Sequence, residues 1–300
     1  MTFTAFILIL FSVAFHASWN LLAKKVTMSV AFYTLLCTMA FALSHTAFYW
    51  TPVEYSALPV KFYLFTMLTV ISDCTYCFGL VGAYRRMDMS AAYPLMRSLP
   101  LLLTMLLTAL LGWGDKLPWY AVCGGVLAFI GCMCMPLQKF SDFNWRYYLS
   151  GNIFFVLLAA CGTTGYTIFD SRAQEVMAAA NPEISKVVIS LSYYGIRGAL
   201  LVSALTVFVM LYAPERRIWI DFWKKRNYMP LLGGVAGALA YATVLIAMNF
   251  VTNVTYVQML RLLALPLGLF TGIFILKERG TVSKFTGVAL ILTGLLLTIL

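Results

Sequence analysis

The second half of this 300-residue chain repeats the first. At a shift of 163 positions Tyr93 meets Tyr256, Met96 meets Met259, Asp115 meets Glu278, Lys116 meets Arg279, Gly124 meets Gly287 and Gly131 meets Gly294. Near the start of each half the shift is 147, pairing Trp19 with Tyr166 and Lys25 with Arg172, so the second copy is 16 residues longer. The added length falls around 173–182 and 213–227, which are rich in charged and loop-forming residues. Each copy holds five long apolar segments. An odd number of membrane crossings turns the second copy upside down relative to the first. Two inverted copies packed face to face place a binding site near the bilayer midplane.

The bilayer as solvent follows from composition. The chain is 62% hydrophobic and 11% charged, more apolar than a soluble domain of this size can bury. A span needs about 20 apolar residues to cross about 30 Å of hydrocarbon. Ten such segments cover 2–23, 29–50, 61–83, 89–113, 118–137, 148–170, 183–212, 229–251, 253–276 and 282–300. The expected fold is an all-α membrane protein: ten transmembrane helices as two inverted five-helix repeats, residues 1–140 (spans 1–5) and 141–300 (spans 6–10). Nearly all of the chain is used, which leaves no room for a nucleotide-binding motor. The first span lacks the basic start of a signal peptide.

The net charge of +10 sits between the spans, where lipid headgroups and topology account for it and nucleic acid is not expected. Connections 1–2, 3–4, 5–6, 7–8 and 9–10 hold most of the Lys and Arg, including Lys24, Lys25, Arg85, Arg86 and Lys224 to Arg226. The positive-inside rule puts these odd connections in the cytoplasm and both termini outside. The seven cysteines fall within spans. Cys74 and Cys77 form a C-x-x-C without a second pair or a nearby histidine, so they read as small buried hydrophobes, with no metal and no cofactor expected.

Three prolines lie inside spans: Pro94 and Pro100 in span 4 and Pro266 in span 9, the equivalent spans of the two halves. Each removes a helix hydrogen bond, a loss tolerated where protein or a cavity satisfies the freed carbonyl. Spans 4 and 9 are therefore first candidates to line a pathway. Spans 5 and 10, with glycines two turns apart and no charge deep in their cores, read as helices that hold the halves together.

A charge near the bilayer centre costs at least about 2.5 kcal/mol and marks a functional site by default. Span 1 carries His16, Asn20 and Lys24 at four-residue steps, with Trp19 beside them. Span 3 carries Asp73 with Tyr76 and Cys77 on one face, span 4 pairs Tyr93 with Arg97, and span 6 pairs Tyr166 with Asp170. Span 7 sets Arg197 beside Tyr193 and Tyr194, span 8 has Tyr241 and Asn249, and span 9 has Tyr256, Gln258 and Arg261. Structural readings compete. Arg97 and Arg261 can snorkel or bond kinked carbonyls, and Asp73 and Arg197 can neutralise one another. Asp170 and Lys24 lie near span ends where water reaches, and His16 can be a satisfied interior imidazole. Even so, the polar residues gather on spans 1, 3, 4, 6, 7, 8 and 9 and avoid 5 and 10. Three arginines against two aspartates, walled by Tyr and Trp, suit a small organic metabolite that is anionic, zwitterionic or amino-acid-like.

At these residues the chain resembles the drug/metabolite transporter superfamily, in its ten-helix EamA-like branch. The signs are His16-Ala17-Ser18-Trp19-Asn20 leading to Lys24-Lys25, and Ala83-Tyr84-Arg85-Arg86 running into Ser90-Ala91-Ala92-Tyr93-Pro94-Leu95-Met96-Arg97-Ser98-Leu99-Pro100. Tyr166-Thr167 with Asp170, and Lys277-Glu278-Arg279, are similar to the family pattern in the second half. The resemblance implies a bacterial inner-membrane carrier, often an exporter, with its ligand in a central cavity lined by spans 1, 3, 4, 6, 8 and 9. It also implies cytoplasmic termini, against the charge count. Span 4 departs from the family in ending Gly112-Trp113-Gly114-Asp115, where Gly-Glu is common.

The expected function is secondary transport by alternating access, with a small-molecule substrate, the lipid bilayer as partner, and protons as an open choice of coupling ion through Asp73 or His16. A flippase for a lipid or lipid-linked molecule is the alternative. An intramembrane enzyme is disfavoured, since neither H-E-x-x-H nor G-x-S-x-G occurs and the two histidines lie on different spans.

Overall fold

In a computed structural model the described residues are 2–23, 28–87, 89–144, 151–277 and 280–299, and at 17–23, 89–91, 275–276 and 299 the description is of the backbone alone. Trp19, Asn20, Lys24, Lys25, Glu278 and Arg279 thus lie, wholly or by their side chains, outside the described residues. The described chain is helical throughout, with no strand. A backbone crossing hydrocarbon has to satisfy its own N–H and C=O groups, and an apolar run of this length does so as a helix. Twelve helices matter here. They are α1 Phe3–Ala23, α2 Val30–Ser44, α3 Val60–Tyr84, α4 Met89–Leu111, α5 Trp119–Cys134 and α6 Ile153–Ala180. The rest are α7 Lys186–Leu211, α8 Ala213–Lys224, α9 Met229–Met248, α10 Thr255–Arg261, α11 Ala264–Leu276 and α12 Val282–Ile299.

Among the described residues seven stretches are long and apolar enough to cross a membrane, and α1, α5 and α12 contribute shorter apolar segments. Large apolar side chains such as Leu110, Trp119, Phe274 and Leu296 stand exposed on the outside, as a lipid-facing surface requires. The chain is a multi-pass membrane protein.

Glycine sets the closest helix contacts. Lipid tails are as apolar as leucine, so helices in a bilayer associate by close packing, and small residues allow it. α5 meets α12 with Gly124 against Gly294 and Gly131 against Gly287, an order that makes the two helices antiparallel. A Cβ at Gly131 would stand 2.6 Å from the Gly287 carbonyl oxygen. The two-turn glycine spacing read in the sequence is this seam. α3 and α6 form a second antiparallel seam, where a Cβ on Gly162 would lie 2.4 Å from the Tyr76 nitrogen and one on Gly79 2.3 Å from the Ala159 nitrogen. α2 and α7 also run antiparallel, Gly195 near Ser44 and Gly198 near Phe41. Both begin at a serine cap: Ser29 accepts from Phe32 N–H at 3.0 Å and Ser185 from Val188 N–H at 3.4 Å. α1 lies along α9.

The structure departs from expectation in three places. Span 6 does not end at 170. α6 runs on to Ala180, because 171–180 is made of good helix formers with an Arg172–Glu175 pair at 2.6 Å on its polar face, and Asn181-Pro182 then stops it. The 213–227 stretch is not a loop but contains α8, whose Ile218, Trp219 and Phe222 pack toward the core, Phe222 with its ring 6.2 Å from that of Phe32. Span 9 is two helices. Leu262 and Leu263 make tight turns at the break, and Leu265 N–H bonds the Leu262 carbonyl at 2.9 Å, taking the place of the N–H that Pro266 lacks.

Adding one methyl group at the seams should be felt strongly. Gly131→Ala or Gly162→Ala is expected to cost about 1–3 kcal/mol, while Gly268→Ala, which faces open space, costs far less. Melting curves of the three purified variants in one detergent check this.

Candidate functional site

The polar centre is built around Arg197 of α7. Its guanidinium reaches two carboxylates at once: Nη2 bonds Asp73 Oδ2 of α3, and Nε donates to Asp170 Oδ1 of α6 at 3.2 Å. All three are buried, Asp170 completely. Tyrosines satisfy the remaining lone pairs. Tyr33 donates to Asp73 Oδ1 at 3.0 Å, Tyr193 to Asp170 Oδ1 at 2.6 Å, and Tyr241 to Asp170 Oδ2. The Tyr193 hydroxyl also lies 3.3 Å from Thr69 Oγ1. The Arg197 guanidinium stands over the Tyr241 ring at 4.5 Å and near that of Tyr166 at 5.9 Å.

A cavity of about 90 Å³ adjoins this centre, room for a few waters. His16 and Ser12 of α1, Asp73 and Tyr76 of α3, Arg197 of α7, Tyr241 of α9 and Arg261 of α10 line it. α2 contributes Tyr33 and Cys37, and α7 adds Tyr194. Its wall is a continuous arc of tyrosine rings. Tyr33 meets Tyr76 at 6.0 Å, Tyr76 meets Tyr166 at 5.7 Å, Tyr166 meets Tyr241 at 5.9 Å, and Tyr241 meets Tyr194 at 5.9 Å. Arg261 ends α10 at the proline-induced break, 7% exposed, and among the described residues its Nη1 has no hydrogen-bond partner. A buried guanidinium nitrogen without an acceptor is costly unless something arrives to accept from it.

Of the residues singled out from sequence, the structure brings His16, Asp73, Tyr76, Tyr166, Arg197, Tyr241 and Arg261 to this cavity. Asp170 is not at a wetted helix end. Because α6 continues for ten residues past it, it is sealed behind Arg197 as a supporting carboxylate. Tyr93 and Arg97 line a separate chamber of about 10 Å³ that shares Tyr76 and Tyr166 with the cavity, with the Arg97 guanidinium 5.4 Å from the Tyr93 ring. Asn249 lies elsewhere, donating to Gln174 Oε1 and Ser190 Oγ at 2.9 Å each. Tyr256 packs in the cluster of α4, α5 and α12. The cysteines are free, and no His, Cys, Asp and Glu group that could hold a metal occurs among the described residues. Tyr33 and Cys37 were missed. A tyrosine four residues past a helix cap reads as an interfacial ring, and nothing in the spacing marks it as the donor to Asp73.

Two connections are tied together at one end of the bundle. Asp115 N–H bonds the Thr252 carbonyl at 3.0 Å, and Asn253 Nδ2 donates to the Asp115 carbonyl at 2.9 Å. Gly114 has a φ of 88° in this connection, where an added Cβ would stand 2.8 Å from the Thr252 oxygen. Beneath it Phe65 packs on Trp113 at 6.0 Å and on Phe169 at 6.3 Å.

No family model matches the sequence, and no curated protein matches it significantly. The chain is similar to a solved crystal structure of another protein, with 15% identity and a TM-score of 0.70 over 99% of this chain and 96% of that one. At that identity the likeness shows the fold.

The central charges should stand or fall together. Arg197→Leu strands two buried carboxylates and is expected to cost about 3–5 kcal/mol. Asp73→Asn and Asp170→Asn added to it should restore much of the loss, as unfolding of the single and triple variants would show.

Proposed function

We propose that this chain is a secondary transporter of the ten-helix drug/metabolite transporter type. It consists of two inverted five-helix repeats and carries a small anionic or zwitterionic organic metabolite, as an exporter, by alternating access. The observation that carries this reading is Arg261: a buried guanidinium on the wall of an aromatic cavity within the helical bundle, with one nitrogen that has no hydrogen-bond partner among the described residues. A guanidinium recognises carboxylate or phosphate with a fixed fork of donors, and the tyrosine arc suits an organic body.

Two observations support the inverted repeat. Equivalent helices of the two halves, α5 with α12 and α2 with α7, run antiparallel. The helix pairing also survives exchange of the halves: α3 with α6 becomes α9 with α1, and both pairs exist. The tie between the Asp115 and Thr252 connections is consistent with alternating access, in which a carrier seals one side of its site at a time. Asp73 lines the cavity while Asp170 is sealed behind it, so Asp73 is the carboxylate that a coupling proton would reach.

A thermal-shift screen of the purified protein against metabolites identifies the ligand, since binding to the folded state raises the melting point. Arg261→Gln removes charge-assisted hydrogen bonds and is expected to weaken that ligand about tenfold to a hundredfold. Lys225→Gln, at an exposed Asp221 pair, leaves binding unchanged. Equal binding by wild type and Arg261→Gln would sink the assignment.

A further inference from the structure

The cavity and the Arg97 chamber meet at one wall made of Tyr76 and Tyr166. The chamber lies toward the surface: Tyr84 is the last residue of α3, and Tyr93 and Arg97 sit in the first turns of α4, next to the connection between those helices. It is polar as well as aromatic. Arg97 supplies a cation, and Thr163 Oγ1, on a residue 4% exposed, has no hydrogen-bond partner among the described residues. At about 10 Å³ the chamber holds no more than a single water, so an organic ligand enters only if its walls move.

The α3–α6 backbone is a poor source of that movement. Tyr76 and Tyr166 stand on α3 and α6, whose seam is so tight that a Cβ on Gly162 would touch the Tyr76 nitrogen. The rings, edge to face at 5.7 Å, can instead turn to other staggered rotamers. We propose that Arg97 is a first station for the oxyanion group of the ligand and that the Tyr76–Tyr166 pair is a gate between it and the cavity of Arg261. The ligand passes from one guanidinium to the other through this gate. The assignment rests on reading the cavity as a transport site.

Native Cys37 lines the cavity and makes the test independent of any substrate. The other cysteines are replaced by Ala, and labelling of Cys37 is timed in liposomes with two methanethiosulfonates of equal size, the anionic ethylsulfonate and the cationic ethyltrimethylammonium. The thiol's own reactivity cancels in their ratio. Arg97→Gln is expected to lower the anion-to-cation rate ratio about tenfold, and Arg97→Lys to restore part of it. Tyr166→Ala, or Tyr76→Ala should that variant fold poorly, raises both rates about tenfold, as removal of a barrier does. In a Cys37→Ala background Leu80→Cys, in the chamber, is labelled faster than Cys37 and gains nothing from Tyr166→Ala. A charge ratio indifferent to Arg97, or gate variants that leave the Cys37 rate unchanged, overturns the proposal. Metabolite binding that needs Arg261 together with either of those results keeps the transporter and removes the station. Both labelling effects without any metabolite shift keep the gate and remove the transporter.

Discussion

One guanidinium between two carboxylates fixes the middle of this molecule. Arg197 holds Asp73 and Asp170 away from water, where an unpaired charge would cost several kcal/mol. Tyr33 and Tyr241 donate to the oxygens that Arg197 leaves free, and Tyr193 shares Asp170 Oδ1 with it. Because Arg197 comes from α7, the carboxylates from α3 and α6, and the hydroxyls from α2, α7 and α9, one ionic cluster binds five helices. It also sets the charge of the cavity. Two carboxylates against one guanidinium leave a single net negative charge that balances Arg261, so the cavity carries a localised cation within a neutral set of charges.

Packing divides the remaining work. The α5–α12 seam lies away from the cavity and has no lining role, while the α3–α6 seam forms one of its walls. In a bilayer such seams replace the hydrophobic effect as the source of cohesion. They are also rigid, which leaves side chains and the broken span α10–α11 as the adaptable parts around the site. The break places Arg261 at a helix end, where its backbone is not constrained by a following turn of regular helix.

Much of this was legible from residue types. A charge inside an apolar run is expensive wherever it points, so Asp73, Arg197 and Arg261 are legible from sequence as candidates for one site, and the structure brings them to one cavity. The glycines of α5 and α12 were equally plain, because two-turn spacing on equivalent spans has few other uses. Asp170 reads as a span end because polar residues follow it, and a sequence does not say whether polar helix continues past the membrane or a loop begins. The division of the polar residues into a cavity and a chamber was hidden for a different reason. Helical spacing shows which face Tyr76, Tyr93, Arg97 and Tyr166 occupy, but not that two rings from different helices meet edge to face and shut one space off from another. Tyr33 was lost in the general abundance of aromatic residues near helix ends.

The polar stretch that follows α7 ends up serving helices from early in the chain. Glu215, 2% exposed at the start of α8, accepts from the Ala31 N–H at the first turn of α2 and from Arg85 at 2.7 Å, just beyond α3. Pulling these groups apart would strand a carboxylate in a dry place. α8, the head of α2 and the tail of α3 are therefore clamped into one body, and Tyr33 with Asp73 rides inside it. This strut keeps that donor and that acceptor in step.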